Sequence, residues 1–255
     1  MRNLKLTLAY DGADFHGWQV QPGKPTIQGT LSQAIARITG ETVLPQGSGR
    51  TDAGVHALQQ VASCALASPI PPAGLLIALN DVLPPAIRVL QVEEVAADFH
   101  PRRCARAKTY QYLIYRGGIC PPFLARYVYH HPYYLDEEAM RCAAAMVVGE
   151  HDFTSFAAVD PERARRVNDA EDEPNNVRTL FTSRWEREGD ELIYTARGTG
   201  FLHHMVRNLV GTFLLVGKGT LKPEDIGPIL AKAERSANPG ATAPASGLYL
   251  VNVEY

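Results

Sequence analysis

The chain has 255 residues, 45% hydrophobic and 20% charged, with a formal net charge of −2. That length can bury a sizeable core, and the composition is ordinary for a soluble globular protein. It does not suit a general polyanion binder. No apolar run approaches the ~20 residues of a membrane span, and the start, MRNLKLTLAYDG, lacks a signal peptide's basic and apolar regions. A cytoplasmic protein with no membrane association is expected. Four scattered cysteines (Cys64, Cys104, Cys120, Cys142) show no zinc-ligand spacing. The adjacent pairs His130-His131 and His203-His204 diverge on any regular backbone, so no metal is expected.

Residues 5–10 alternate, with Leu4, Leu6, Leu8 and Tyr10 on one face, and the strand ends at Asp11-Gly12. A helix follows from Pro25-Thr26, with Ile27, Leu31, Ala34, Ile35 and Ile38 at helical spacing and Gly40 to end it. A strand near 42–44, a polar loop, a strand over 58–66, a helix over 72–83 and a strand over 87–95 complete the first half. The order then repeats. A strand over 108–116 puts Tyr110, Tyr112 and Ile114 on one face, and a helix over 136–148 runs from a capping Asp136 to Gly149. Strands over 177–186 and 191–197 flank a Gly189-Asp190 turn, a helix covers about 203–216, and a strand over 248–255 closes the chain. Each half reads β-α-β-β-α-β, the ferredoxin-like arrangement. The expectation is an α+β fold of two such halves, residues 1–100 and 101–255, joined through antiparallel sheets with a central cleft. The charged segment at about 158–176 reads as an exposed insertion in the second half.

The net charge hides a segregation. Residues 99–135 contain no acid, yet hold Arg102, Arg103, Arg106, Lys108, Arg116, Arg126 and seven of the eleven tyrosines. A second acid-free window, 192–223, carries Arg197, Arg207, Lys218 and Lys222. Basic, tyrosine-rich windows suit RNA, whose bases stack on aromatic faces; a solvated surface with chance clustering is the alternative.

The stretch GRTDAGVHA, residues 49–57, sets one carboxylate, Asp52, in a polar loop two residues after Arg50 and two before Gly54. Asp and Gly suit a turn. The sharper reading is a reactive carboxylate: Arg50 and Asp52 project to one side of an extended segment, and a guanidinium favours the ionised form that a nucleophile or base needs. Taken alone, Tyr110 reads more readily as core than as catalytic, Leu250 simply as core, and Arg207 as a helix-surface residue.

GRTDAGVHA resembles the active-site loop of the tRNA pseudouridine synthase A family. Further segments agree in order along the chain: YDG at 10–12 with GWQ at 17–19, DFH at 98–100, YQY at 110–112, GEHDFTSF at 149–156, HHMVRN at 203–208 and GLYL at 247–250. The resemblance implies an isomerase, an intramolecular transferase that converts uridine to pseudouridine at positions 38, 39 and 40 of the tRNA anticodon stem-loop, acting as a homodimer with no cofactor or metal. It implies Asp52 as the catalytic residue, Arg50 beside it, Tyr110 against the target base, Leu250 in the apolar floor and Arg207 in the cleft; the basic window adds Arg102, Arg103, Arg106 and Lys108 as the expected RNA contacts. Phe15 stands where the family often has tyrosine, and Lys108 where arginine is usual. Two rivals remain open on the residues alone. One is an RNA-binding module without catalysis, which has no need of Asp52. The other is an aspartate-dependent glycosidic hydrolase, which generally wants a second carboxylate.

Overall fold

The structure, a computed structural model, describes residues 1–159 and 175–255. The charged insertion expected at about 158–176 lies almost wholly outside the described residues. The chain divides into two compact units: Met1–Thr109 with Ala245–Tyr255, and Tyr110–Pro244.

In the first unit, strand β1 (Arg2–Tyr10) buries every second side chain from Leu4 to Tyr10, the period of a strand with one covered face. Helix α1 (Ile27–Thr39) is capped by Thr26, whose hydroxyl accepts from Gly29 N, and ends at Gly40 with φ 75°. Ile27, Leu31, Ala34 and Ile35 form its buried stripe. Strand β2 (Gln46–Gly47), β3 (His56–Leu66), helix α2 (Pro72–Val82) and β4 (Ile87–Val95) follow. Their sheet order is β4-β1-β3, with β2 on β3, all antiparallel.

The strand expected at 42–44 does not form. Side chains of α1 take the carbonyls of that segment: Gln28 Nε2 donates to Pro45 O at 2.9 Å, and Ser32 Oγ to Val43 O. Pairing begins only at the two residues of β2.

The second unit holds most of β5 (Ala107–Tyr115), then β6 (Tyr129–His130), α3 (Glu137–Ala145), β7 (Gly149–Asp152), β8 (Val177–Glu188), β9 (Glu191–Gly198), α4 (Met205–Gly217) and α5 (Ile226–Lys232). Its sheet runs β5-β9-β8-β7, with β6 parallel to β5. An aromatic cluster fills the space between sheet and helix: the Trp185, Tyr194 and Phe213 ring centroids lie 5.0–6.3 Å apart. The helix α4 is buried nearly all round, in keeping with its mostly apolar sequence.

Chain order assigns the last strand to the second half. In the structure β10 (Leu248–Glu254) groups with the first unit, where Tyr249 and Leu250 pair in parallel with His56 and Ala57 of β3. Among the described residues no helix is long and apolar enough to cross a membrane.

Candidate active site

The GRTDAGVHA loop joins β2 to β3, and Asp52 is half-buried on it while Arg50 is exposed. Val55 N donates to Asp52 O at 3.2 Å, closing a turn whose third residue, Gly54, has φ 79°. Only glycine takes that conformation without strain. Asp52 is therefore a turn residue, and the turn is closed by its backbone carbonyl.

The YDG and GWQ segments brace this loop from one side. Trp18 N donates to Thr51 O (3.0 Å), and Gly54 N to Phe15 O (3.3 Å). The backbones run so close that a Cβ on Gly12 would collide with the Val55 carbonyl, and one on Gly17 would come within 2.6 Å of Thr51 O. Gly12 N also donates to His56 Nδ1 at 3.2 Å. Asp11 Oδ1 approaches the same nitrogen at 3.2 Å. His56 stacks on Tyr249, centroids 4.8 Å apart. Leu250, one residue on, is fully buried.

Beneath the loop lies a buried polar network that sequence reasoning missed. Ser48 Oγ donates to Gln60 Oε1 (2.7 Å), Gln60 Nε2 donates to Gly49 O (3.0 Å), and the Tyr10 hydroxyl lies 2.9 Å from Thr51 Oγ1. Burial pushes the Tyr10 hydroxyl up to about 12, so it stays neutral as a hydrogen-bonding group. The available signal was Gln60 itself, a polar residue in step with Ala62, Cys64 and Leu66 on the apolar face of β3.

The predicted RNA-contact residues separate into two kinds. Arg102, Arg103 and Arg106 are exposed. Backbone N–H groups of Arg102 and Arg103 donate to His100 Nδ1, and Arg106 N to Glu254 O, which hold this basic turn against β10. Lys108 instead is half-buried and donates from Nζ to Ser48 O at 2.5 Å. Its charge thus sits at the stem of the Asp52 loop.

Tyr110 and Arg207 belong to the second unit. Tyr110 is 7% exposed, on the same face of β5 as Tyr112 and Ile114, with its ring edge-on to Phe201 at 4.9 Å. Arg207, in the first turn of α4, donates from Nε to Ala243 O at 2.7 Å, and Ala243 N donates back to Arg207 O. The segment 238–244, to which Ala243 belongs, is latched further along α4. Thr212 Oγ1 bonds Asn238 Oδ1, Thr242 Oγ1 donates to Asn208 Oδ1, and a Cβ on Gly211 would collide with the Ala241 carbonyl. Tyr112 completes it through Pro244 O at 2.8 Å. Before α4, His204 adopts φ 59°, a left-handed conformation costly for a residue with a side chain.

The chain is similar to known proteins over its whole length. A family model described as tRNA pseudouridine synthase matches residues 7–102 and 143–255, which include the Asp52 loop, the α4 motif and β10. A tRNA pseudouridine synthase A of Solibacter usitatus is 52% identical over the whole of both chains. Those of Caldicellulosiruptor bescii and Brevibacillus brevis are 43% and 44% identical, again over the whole of both chains. A chain of a Cbf5-Nop10-Gar1 complex aligns over 82% of this chain and 54% of its own with TM-score 0.30 and 13% identity, a likeness too slight to bear on the fold. Similarity on this scale leaves one assignment: the chain belongs to the tRNA pseudouridine synthase family.

Proposed function

We propose that this chain isomerises uridine to pseudouridine at positions 38, 39 and 40 of the tRNA anticodon stem-loop, as a cytoplasmic homodimer, with Asp52 as the catalytic carboxylate. The observation that carries the reading is the Asp52 loop: a half-buried carboxylate on a turn closed by backbone atoms and braced by buried neighbours. A loop held this firmly can present one group to a substrate with little reorganisation.

The isomerisation is internally balanced. The C1′–N1 bond breaks, the detached base turns, and a C1′–C5 bond forms; C5 loses its proton and N1 gains one. Asp52 acts on the target nucleotide during detachment. The base must first leave its stack, at a cost of a few kcal/mol. The family resemblance assigns Tyr110 to the target base, Leu250 to an apolar floor, Arg50 to the company of Asp52 and Arg207 to an anionic partner. The exposed Arg102, Arg103 and Arg106 suit phosphates, which position RNA without reading its sequence.

The experiment is to incubate the purified chain with unmodified tRNA transcript and map pseudouridine by position. Product confined to positions 38–40 is expected. Product elsewhere would refute the site assignment, tight binding without product would favour an RNA-binding module, and free uracil would favour a hydrolase.

A further inference from the structure

Gln60 is fully buried on β3, opposite Leu8 of β1. The pairing then slips: Tyr10 faces Ala57, so β3 carries one extra residue between the two pairs. Such bulges re-aim side chains beside functional sites. This one places the carboxamide of Gln60 under the Asp52 loop. Its oxygen accepts from Ser48 Oγ (2.7 Å) and from Val61 N (3.1 Å); its nitrogen donates to Gly49 O (3.0 Å) and reaches the Tyr10 hydroxyl at 3.4 Å. Both donors and both acceptor sites of the amide are thereby engaged. They fix residues 48 and 49 directly and, through the Tyr10 hydroxyl, Thr51. Asp52 is the next residue.

We infer that Gln60 is a positioning residue for Asp52, acting through the loop backbone; the inference rests on Asp52 being the catalytic carboxylate. The loop needs such an anchor because Gly49 and Gly54 leave its backbone unusually free. A displacement of about 1 Å at a reacting group costs on the order of 100-fold in rate. Gln60 has no exposed surface, and its amide is fully engaged within the chain, so its polar atoms are not offered to RNA. Its loss therefore acts on the chemical step and leaves tRNA binding in place, whereas a merely structural glutamine would lower stability and spare the rate of folded enzyme.

Gln60→Met keeps the length and burial of the side chain and removes its hydrogen bonds. Tyr10→Phe keeps the ring and removes the link to Thr51. Single-turnover isomerisation and tRNA dissociation constants are measured at a temperature where thermal melts show each variant folded. Gln60→Met should be roughly 10- to 100-fold slower, with its tRNA dissociation constant within about threefold of wild type; Tyr10→Phe should show the same pattern with a smaller drop. A wild-type rate in folded Gln60→Met overturns the inference, as does a rate loss matched by an equal loss of binding. If Gln60→Met does not fold, Tyr10→Phe decides, and a wild-type rate there overturns it. Absence of product from the wild-type chain would remove the functional reading and this inference with it. An active wild type with unaffected variants removes the inference alone.

Discussion

Two polar, glycine-bearing loops of this protein each carry an aspartate, and they use it differently. In the second unit, Asp152 ends β7, and its Oδ1 accepts from both the backbone N (2.8 Å) and the hydroxyl (2.6 Å) of Thr154. That side chain builds a turn and drops Phe153 and Phe156 into the core. Ser155 Oγ, also buried, bonds Ile229 O and Glu234 N, tying the segment to α5 and beyond. In the first unit, the Asp52 turn is closed by its backbone carbonyl, and the bracing falls to Tyr10, Gln60 and Lys108. Both loops belong to motifs of the same family. A motif's specificity identifies the family, but only the fold shows that one turn is built by an aspartate side chain and the other closed by an aspartate backbone carbonyl.

The strongest way to break this comparison is to neutralise each carboxylate in turn. Asp52→Asn should lower isomerisation by at least about 100-fold, the lower bound for removing a positioned proton-transfer group, with tRNA binding within about threefold. Asp152→Asn should keep the wild-type rate and lower the melting temperature modestly, since one local bond is weakened. Single-turnover assays and melts on both proteins check this. Equal rate losses would erase the distinction.

The glycines sharpen it at lower amplitude. Gly54 (φ 79°) and Gly149 (φ 107°) both hold backbone that a side chain resists. Replacing either with Ala should cost about 1–2 kcal/mol of stability, read by denaturant unfolding. Only Gly54→Ala should also slow the reaction, because its Cβ meets that of Ala245 at 3.2 Å beside the Asp52 turn. A slowed Gly149→Ala enzyme would show that the second loop also serves the chemistry.

The smallest effect is invisible at neutral pH. Burial holds the Tyr10 hydroxyl at about 12, against an ordinary value of 10.0. Its neutral form is favoured by folding, so its contribution is full below pH 10 and is lost as pH rises toward 12. Melting temperatures from pH 8 upward should fall more steeply for wild type than for Tyr10→Phe. Identical slopes would place the alkaline sensitivity on other buried tyrosines, such as Tyr194, which burial also pushes up.

Much of the fold was legible in the sequence because it repeats at short range. β1 alternates with period two, α1 carries a 3.6-residue stripe between Thr26 and Gly40, and the Gly189-Asp190 turn marks the β8–β9 hairpin. The polar loop that carries Asp52 was legible too, from its turn residues and its unbroken nine-residue motif. Tertiary structure decided the rest. The parallel partner of β10, the two-residue β2 in place of a strand at 42–44, and the short β6 and β7 depend on which backbone groups other segments leave unpaired. The charge of Lys108 is visible in the sequence, but the Ser48 carbonyl that it holds, sixty positions away, is not. Gln60 looked like one polar residue in a strand until a bulge set its amide under the loop. Periodicity and capping act within a few residues and leave a written pattern, whereas hydrogen bonds between distant segments are fixed only when the chain has packed.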